Sequence, residues 1–152
     1  MRVYLSGGME YANGEGSEWR KEMQQWLEAK LDHSVFNPNI ESDRFFRKEY
    51  PGLDFRKLKI DNTSSYTNIV RRLVEIDCNE IAHESDYIIC LWDEGAAKRA
   101  GTKGELTMAN FFKKPVYLVT SFPLQDLPGW ILGCVTRTFS TFDELKRFLT
   151  QI

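Results

Sequence analysis

The stretch that most constrains this chain is Asp86 to Glu105, DYIICLWDEGAAKRAGTKGE. Tyr87-Ile88-Ile89-Cys90-Leu91-Trp92 is apolar without interruption and rich in β-branched and aromatic residues, which fits a buried strand. Asp93-Glu94-Gly95 stops it. A short loop carrying Lys98 and Arg99 follows, and Gly101-Thr102-Lys103-Gly104-Glu105 then opens a helix. Open α/β sheets build their sites where a strand ends in acidic and glycine residues and feeds a helix.

The rest of the chain fits around that strand. Arg2 to Ser6 reads as a first strand ending in Gly7-Gly8. The glycine-rich loop from Gly8 to Gly16 precedes Ser17, which offers an N-cap. Trp19, Met23, Trp26, Leu27 and Leu31 then recur at helical spacing. Val35-Phe36-Asn37-Pro38 is a second strand closed by proline. Residues 41–65 are charged and aromatic around Pro51-Gly52, and read as a long loop insertion with helical turns, either a functional segment or a cover over one end of the sheet. Tyr66 to His83 has one apolar face through Ile69, Val70, Leu73, Ile76 and Ile81. After the central strand come a helix from Thr102 to about Phe112 and a strand over Pro115–Thr120. A proline-containing loop over 121–130 and an edge strand over Val135–Phe139 follow. Ser140 or Thr141 then caps a closing helix, Phe142–Leu149. The repeated crossovers predict an α/β fold: a flavodoxin-like or Rossmann-like parallel sheet of about five strands with helices on both faces. Residues 1–152 are expected to form one domain.

Charge and cysteines narrow the function classes. A net charge of -2 over 152 residues leaves no electrostatic footprint for a nucleic acid polymer. No run approaches a membrane span, and the opening residues are too short an apolar segment for a signal peptide, so a cytoplasmic protein is expected. Cys78, Cys90 and Cys134 lack metal-ligand spacing and fit thiols of a reducing compartment. His33 and His83 have neither a metal partner nor a triad. No metal or cofactor is expected.

Two carboxylates stand out. Thr102-Lys103-Gly104-Glu105 matches a capping box, in which Glu105 would satisfy a backbone N–H. The same position, at a helix start above the central strand, suits a nucleophile or general base. Gly104 costs about 1 kcal/mol relative to alanine in a helix, and a close approach to the backbone would explain it. Asp77 falls inside the apolar face of its helix, where an unpaired carboxylate is costly. It therefore faces a pocket, or pairs with Arg71, Arg72 or a basic loop residue. Glu80 is a weaker candidate on the same face. Gly7, Gly8, Gly14 and Gly16 could cradle a phosphate or ribose with Arg20 as counter-charge, although their spacing matches no standard phosphate loop. Lys98, Arg99 and Lys103 favour an anionic ligand; the alternative is a solvated basic loop.

Four segments in order resemble the nucleoside 2-deoxyribosyltransferase family and its relatives that hydrolyse nucleoside 5'-monophosphates. They are Val3-Tyr4-Leu5-Ser6-Gly7-Gly8, Asp77 with Ile81 and Ser85-Asp86, Gly101-Thr102-Lys103-Gly104-Glu105-Leu106, and Lys114-Pro115-Val116. The resemblance implies Glu105 as the nucleophile at the anomeric carbon and Asp77 as the acid that manages the proton on the leaving base. It implies that Tyr4, Ser6, Gly7 and Gly8 line the substrate pocket with Gly101 and Thr102. It also implies a small nucleotide or nucleoside substrate and a homo-oligomer whose subunits complete each other's sites. The family's aspartate six residues before the nucleophile is Arg99 here, with Asp93 as the residue to take its role. That departure motivates a second expectation: a nucleotide-binding or sensing module without turnover.

Overall fold

The computed structural model describes residues 1–9 and 13–152. Five parallel strands, β1 (Arg2–Gly7), β2 (Ser34–Phe36), β3 (Tyr87–Leu91), β4 (Val116–Val119) and β5 (Arg137–Phe139), form one sheet in the order β2-β1-β3-β4-β5. This is the flavodoxin-like order, and its switch point lies between β1 and β3, the usual site of a ligand crevice. The two edge strands are three residues each.

The period-2 alternation of the strands divides the core in two. Val3 and Leu5 of β1 with Tyr87 and Ile89 of β3 meet Met23 and Leu27 of α1 (Ser17–Leu31) and Leu145 and Leu149 of α8 (Phe142–Leu149). On the other face Tyr4, Ile88, Cys90 and Trp92 pack with Ile81 and with Leu106 and Ala109 of α6 (Ala100–Phe111). Because β3 is covered on both faces, it needs apolar side chains in both directions, as its sequence supplies. Thr141 caps α8 by accepting from the Glu144 amide at 3.2 Å.

Several boundaries differ from the sequence reading, for local reasons. Ser17 is the first residue of α1; the N-cap is Gly16, left-handed at φ 68°. Of the preceding glycine loop, residues 10–12 lie outside the described residues. Pro38 opens a helix rather than closing a strand: Asn37 accepts from the Asn39 amide, and proline at the first helical position lacks only an N–H that would be unpaired there. The segment 41–65 is therefore helical over α2 (Pro38–Glu49) and α3 (Phe55–Asp61). A π turn at Glu80–Glu84 ends α4 (Thr63–Asn79), and Ile76, expected on the apolar face, is 38 % exposed. Residues 94–98 form the short α5 (Glu94–Lys98), not a loop, and α7 (Gly129–Cys134) follows Pro128 where a loop and strand were expected to meet. No helix among the described residues is long and apolar enough to cross a membrane.

Candidate active site

Tyr4 and Ser6 are two residues apart on β1, so both hydroxyls emerge on the same face of the sheet. That face carries α6. Tyr4 donates to Glu105 Oε1 at 3.0 Å and Ser6 Oγ donates to Oε2 at 2.5 Å. Both carboxylate oxygens are thus held from a single strand. Arg99 is the N-cap of α6 and the helix begins at Ala100, so Glu105 lies beyond the first turn. The capping-box reading is overturned: the Glu105 carboxylate is spent on β1 hydroxyls, and Thr102 is a buried residue inside the helix. Among the described residues, and apart from its own helix backbone and chain neighbours, no atom lies within 4 Å of where a Cβ would stand on Gly101 or Gly104.

Asp77 reaches the same region from α4. Burial and the nearby Glu105 charge push its carboxyl up to about 7, with Tyr4 and Arg20 opposing the shift. Burial also raises Glu105, against hydrogen bonds from Ser6 and Tyr4 and the field of Arg20. Tyr4 itself is held well above its ordinary value by burial and by both carboxylates, so it stays a donor. Two neighbouring carboxylates disfavour each other's charge, and both of these are raised above the ordinary range. Tyr4 and Arg20 act on both carboxylates, and Ser6 acts on Glu105.

The alternative reading, a pairing of Asp77 with Arg71 or Arg72, is not what forms. Arg71 donates to Asn68, and Arg72 bonds the Tyr50 hydroxyl at 3.2 Å and pairs with Glu49 at 3.5 Å. Glu80 is structural. It pairs with Arg2 at 2.6 Å and accepts from Ser85 Oγ at 2.9 Å, which ties the end of α4 to β1 and to the entry of β3.

Arg20 is not an open counter-charge. It is buried and donates from Nε to Leu5 O (3.1 Å) and from Nη2 to Gly7 O (2.8 Å). Its Nη1 reaches Gly16 O (3.2 Å) and Asn39 Oδ1 (3.3 Å), so the guanidinium clamps the turn after β1 from beneath. A Cβ on Gly16 would lie 2.7 Å from Arg20 Nη1 and from Gly8 O, and one on Gly8 would lie 2.9 Å from the Ala96 amide. These two glycines let the turn close over Arg20 and against α5. Asp93 caps α5, its Oδ1 accepting from the Ala96 amide at 2.9 Å. Arg99 is half-buried between α5 and α6, and Lys98 is exposed beside Glu94 at 3.4 Å. Cys90 is buried beside Ser6, and burial pushes its thiol up, which leaves it unreactive.

A cleft of about 380 Å³ opens beside this constellation, with Asp77 in its lining. Phe46 of α2, Phe55 of α3 and Tyr66 of α4 form one wall, with Val70 and Leu73 continuing it. Ser42, Asp54 and Arg56 supply its other polar groups. Sequence reasoning did not assign these residues. The signal was the density of aromatic side chains between Phe45 and Tyr66.

No protein-family model and no curated protein matches the sequence. Solved structures do match the fold. The 2-deoxyribosyltransferase of the psychrotolerant bacterium Bacillus psychrosaccharolyticus superposes with a TM-score of 0.64 at 17% identity, over 99% of this chain and 95% of that one. A conserved protein from Enterococcus faecalis V583 gives 0.62 at 13% identity, over 99% and 98%. The Clostridium botulinum CMP N-glycosidase BcmB gives 0.56 at 17% identity, over 99% and 98%. The fold is therefore the one that the sequence resemblance implied.

Proposed function

We propose that this protein is an enzyme that breaks or transfers the N-glycosidic bond of a nucleotide or nucleoside through a covalent glycosyl–Glu105 intermediate. The observation that carries this reading is a Glu105 held by two β1 hydroxyls beside Asp77, whose carboxyl is pushed up to about 7 and which lines the adjoining cleft. In the first step a Glu105 oxygen attacks the anomeric carbon. The carbon–nitrogen bond breaks, its electron pair leaves with the base, and Asp77 gives its proton to the departing ring. Water or a second base then attacks the same carbon and releases Glu105, and the proton of the incoming nucleophile returns to Asp77. Tyr4 and Ser6 hold the nucleophile in place throughout. The fold it shares with a 2-deoxyribosyltransferase and a CMP N-glycosidase supports the same chemistry.

Lys98, Arg99 and Lys103 around the start of α6 favour a monophosphate over an uncharged nucleoside. The three free cysteines suit the cytoplasm, and residues 1–152 act as one domain. A homo-oligomer is part of the proposal, supported by exposed apolar side chains on α6 and α7: Phe111 and Trp130 are 74 % and 70 % exposed, and Trp130 Nε1 bonds Thr107 one turn from Phe111.

Chromatography for free base after incubation with nucleosides and monophosphates, with and without a second base, tests the activity. Glu105→Gln and Glu105→Ala are expected to release none while remaining folded; full activity in both excludes the mechanism. A binding module without turnover is the second reading, favoured by Arg99 in place of the family's aspartate and by Asp93 being committed to a helix cap. It expects thermal stabilisation by nucleotides and no base released.

A further inference from the structure

We propose that Arg20 acts as a positioning residue for the nucleophile: its guanidinium holds the backbone on both sides of Ser6, which aims the Ser6 hydroxyl at Glu105, and its charge balances the Glu105 carboxylate. This rests on the glycosidic reading of Glu105. The need for such a residue arises in the sheet. β3 pairs with β1 as far as Gly7, whereas β2 stops at Phe36, opposite Tyr4. Met1 O accepts from the Ser34 amide on the β2 side, and carbonyls alternate along a strand. Leu5 O and Gly7 O therefore face that side, beyond the last paired residue of β2. Arg20 meets them there, with Nε donating to Leu5 O at 3.1 Å and Nη2 to Gly7 O at 2.8 Å.

Satisfying two carbonyls does not require a cation. A neutral amide would do so without the cost of burying a charge, yet Arg20 is only 1 % exposed. Two properties of a guanidinium fit the site. Its N–H donors are fixed in one plane, so the bonds from Nε and Nη2 set the mutual orientation of the backbone before and after Ser6. That plane is itself held: Nη1 bonds Gly16 O and Asn39 Oδ1 of α2, and the Trp19 ring lies 4.8 Å from the guanidinium carbon. The second property is charge. Among the described residues, Glu105 is faced by Tyr4 of β1, Cys90 of β3, Asp77 and Cys78 of α4, and Arg20 of α1. Glu80 acts in turn on Asp77, and Asp93 on Arg20. Of these groups, Arg20 is the cation. Burial disfavours its charge, and Glu105 is the foremost group that opposes this. In return, Arg20 opposes the rise that burial imposes on Glu105 and on Asp77.

The test separates fork from charge. Arg20→Lys keeps the charge and loses the planar fork; Arg20→Gln keeps an amide donor and loses the charge. Base release from nucleosides and their 5'-monophosphates is followed across pH in both variants and in the wild type, with thermal melts by circular dichroism as the check on folding. Arg20→Lys is expected to lower kcat about 10- to 100-fold, the loss from a slightly misplaced reacting group, while KM changes less than about threefold and both limbs of the pH profile stay in place. Arg20→Gln is expected to lower kcat as far and to move both limbs to higher pH, because the charge that draws Glu105 and Asp77 down is gone. A merely structural arginine predicts lower melting temperatures in both variants with kcat and both limbs unmoved, and that result overturns the proposal. So does wild-type kcat in Arg20→Lys alone, which decides the matter if Arg20→Gln does not fold. If the wild type releases base from nothing, the enzymatic reading falls, and carbon-13 NMR of protein labelled at its glutamate carboxyls decides the role of Arg20 separately. The Glu105 signal is identified by its loss in Glu105→Gln. A titration midpoint at higher pH in Arg20→Gln than in the wild type supports the proposal; the same midpoint in both overturns it.

Discussion

Glu105 and Asp77 are unlike in their support, and pH should expose the difference. Asp77 must hold a proton to act as an acid, and its carboxyl is pushed up to about 7. Base release is therefore expected to fall as pH rises through about 7, and Asp77→Asn should remove that basic limb along with most of the rate; an unchanged limb in the variant assigns the titration elsewhere. Stability has the same origin. The folded protein binds the Asp77 proton more tightly than the unfolded chain, so this residue's contribution declines as pH rises from about 4 to about 7. Thermal melts of Asp77→Asn should show a smaller decline over that window. Ser6 acts in the opposite sense on Glu105, since its hydrogen bond pulls the carboxyl down. Ser6→Ala should shift the acidic limb upward and lower kcat by roughly 10- to 100-fold, the range for a hydrogen bond to a charged group. Retention of both kcat and the limb means that Tyr4 alone holds the nucleophile.

At the scale of elements, the two kinds of glycine separate. Gly104 sits inside α6 with open space where a Cβ would go. Gly104→Ala should raise stability by about 0.5–1 kcal/mol, measured by denaturant titration. Gly16→Ala should lower it, because the residue is left-handed at φ 68° and the new carbon meets Arg20 and Gly8 O; about 1–2 kcal/mol is expected from the backbone alone. Equal effects at the two sites would refute this division. The same elements explain what was legible beforehand. β3 and α1 announce themselves because each buries a continuous set of apolar residues. α2 did not, because of its residues only Pro38 is fully buried and its outer face is laced with pairs such as Arg47–Asp43 at 2.7 Å. Its aromatic residues are only half-buried, so no stripe at helical period appears. Asp77 was legible as an acid out of place. Glu105 was ambiguous, because a capping box and a nucleophile share one local spelling; its bonds to β1 remove the first reading and leave the second as a proposal. Arg20 was misjudged for a related reason: nothing in a sequence says that main-chain carbonyls will surround a guanidinium.

For the molecule as a whole, the apolar face of Phe111 and Trp130 makes a claim about association. Sedimentation at micromolar concentration should find a dimer or larger species, and Trp130→Lys combined with Phe111→Lys should release monomers; a wild-type monomer would refute it. The sheet leads to the same place from another direction. A parallel sheet must end somewhere, and its last strands offer unpaired amides and carbonyls to any extended chain nearby. Here those borders, β2 and β5, offer three residues apiece. So short a template captures a stray strand poorly, which disfavours fibrillar growth and domain exchange along the sheet. Any association between copies of this chain would then run through side chains on helices.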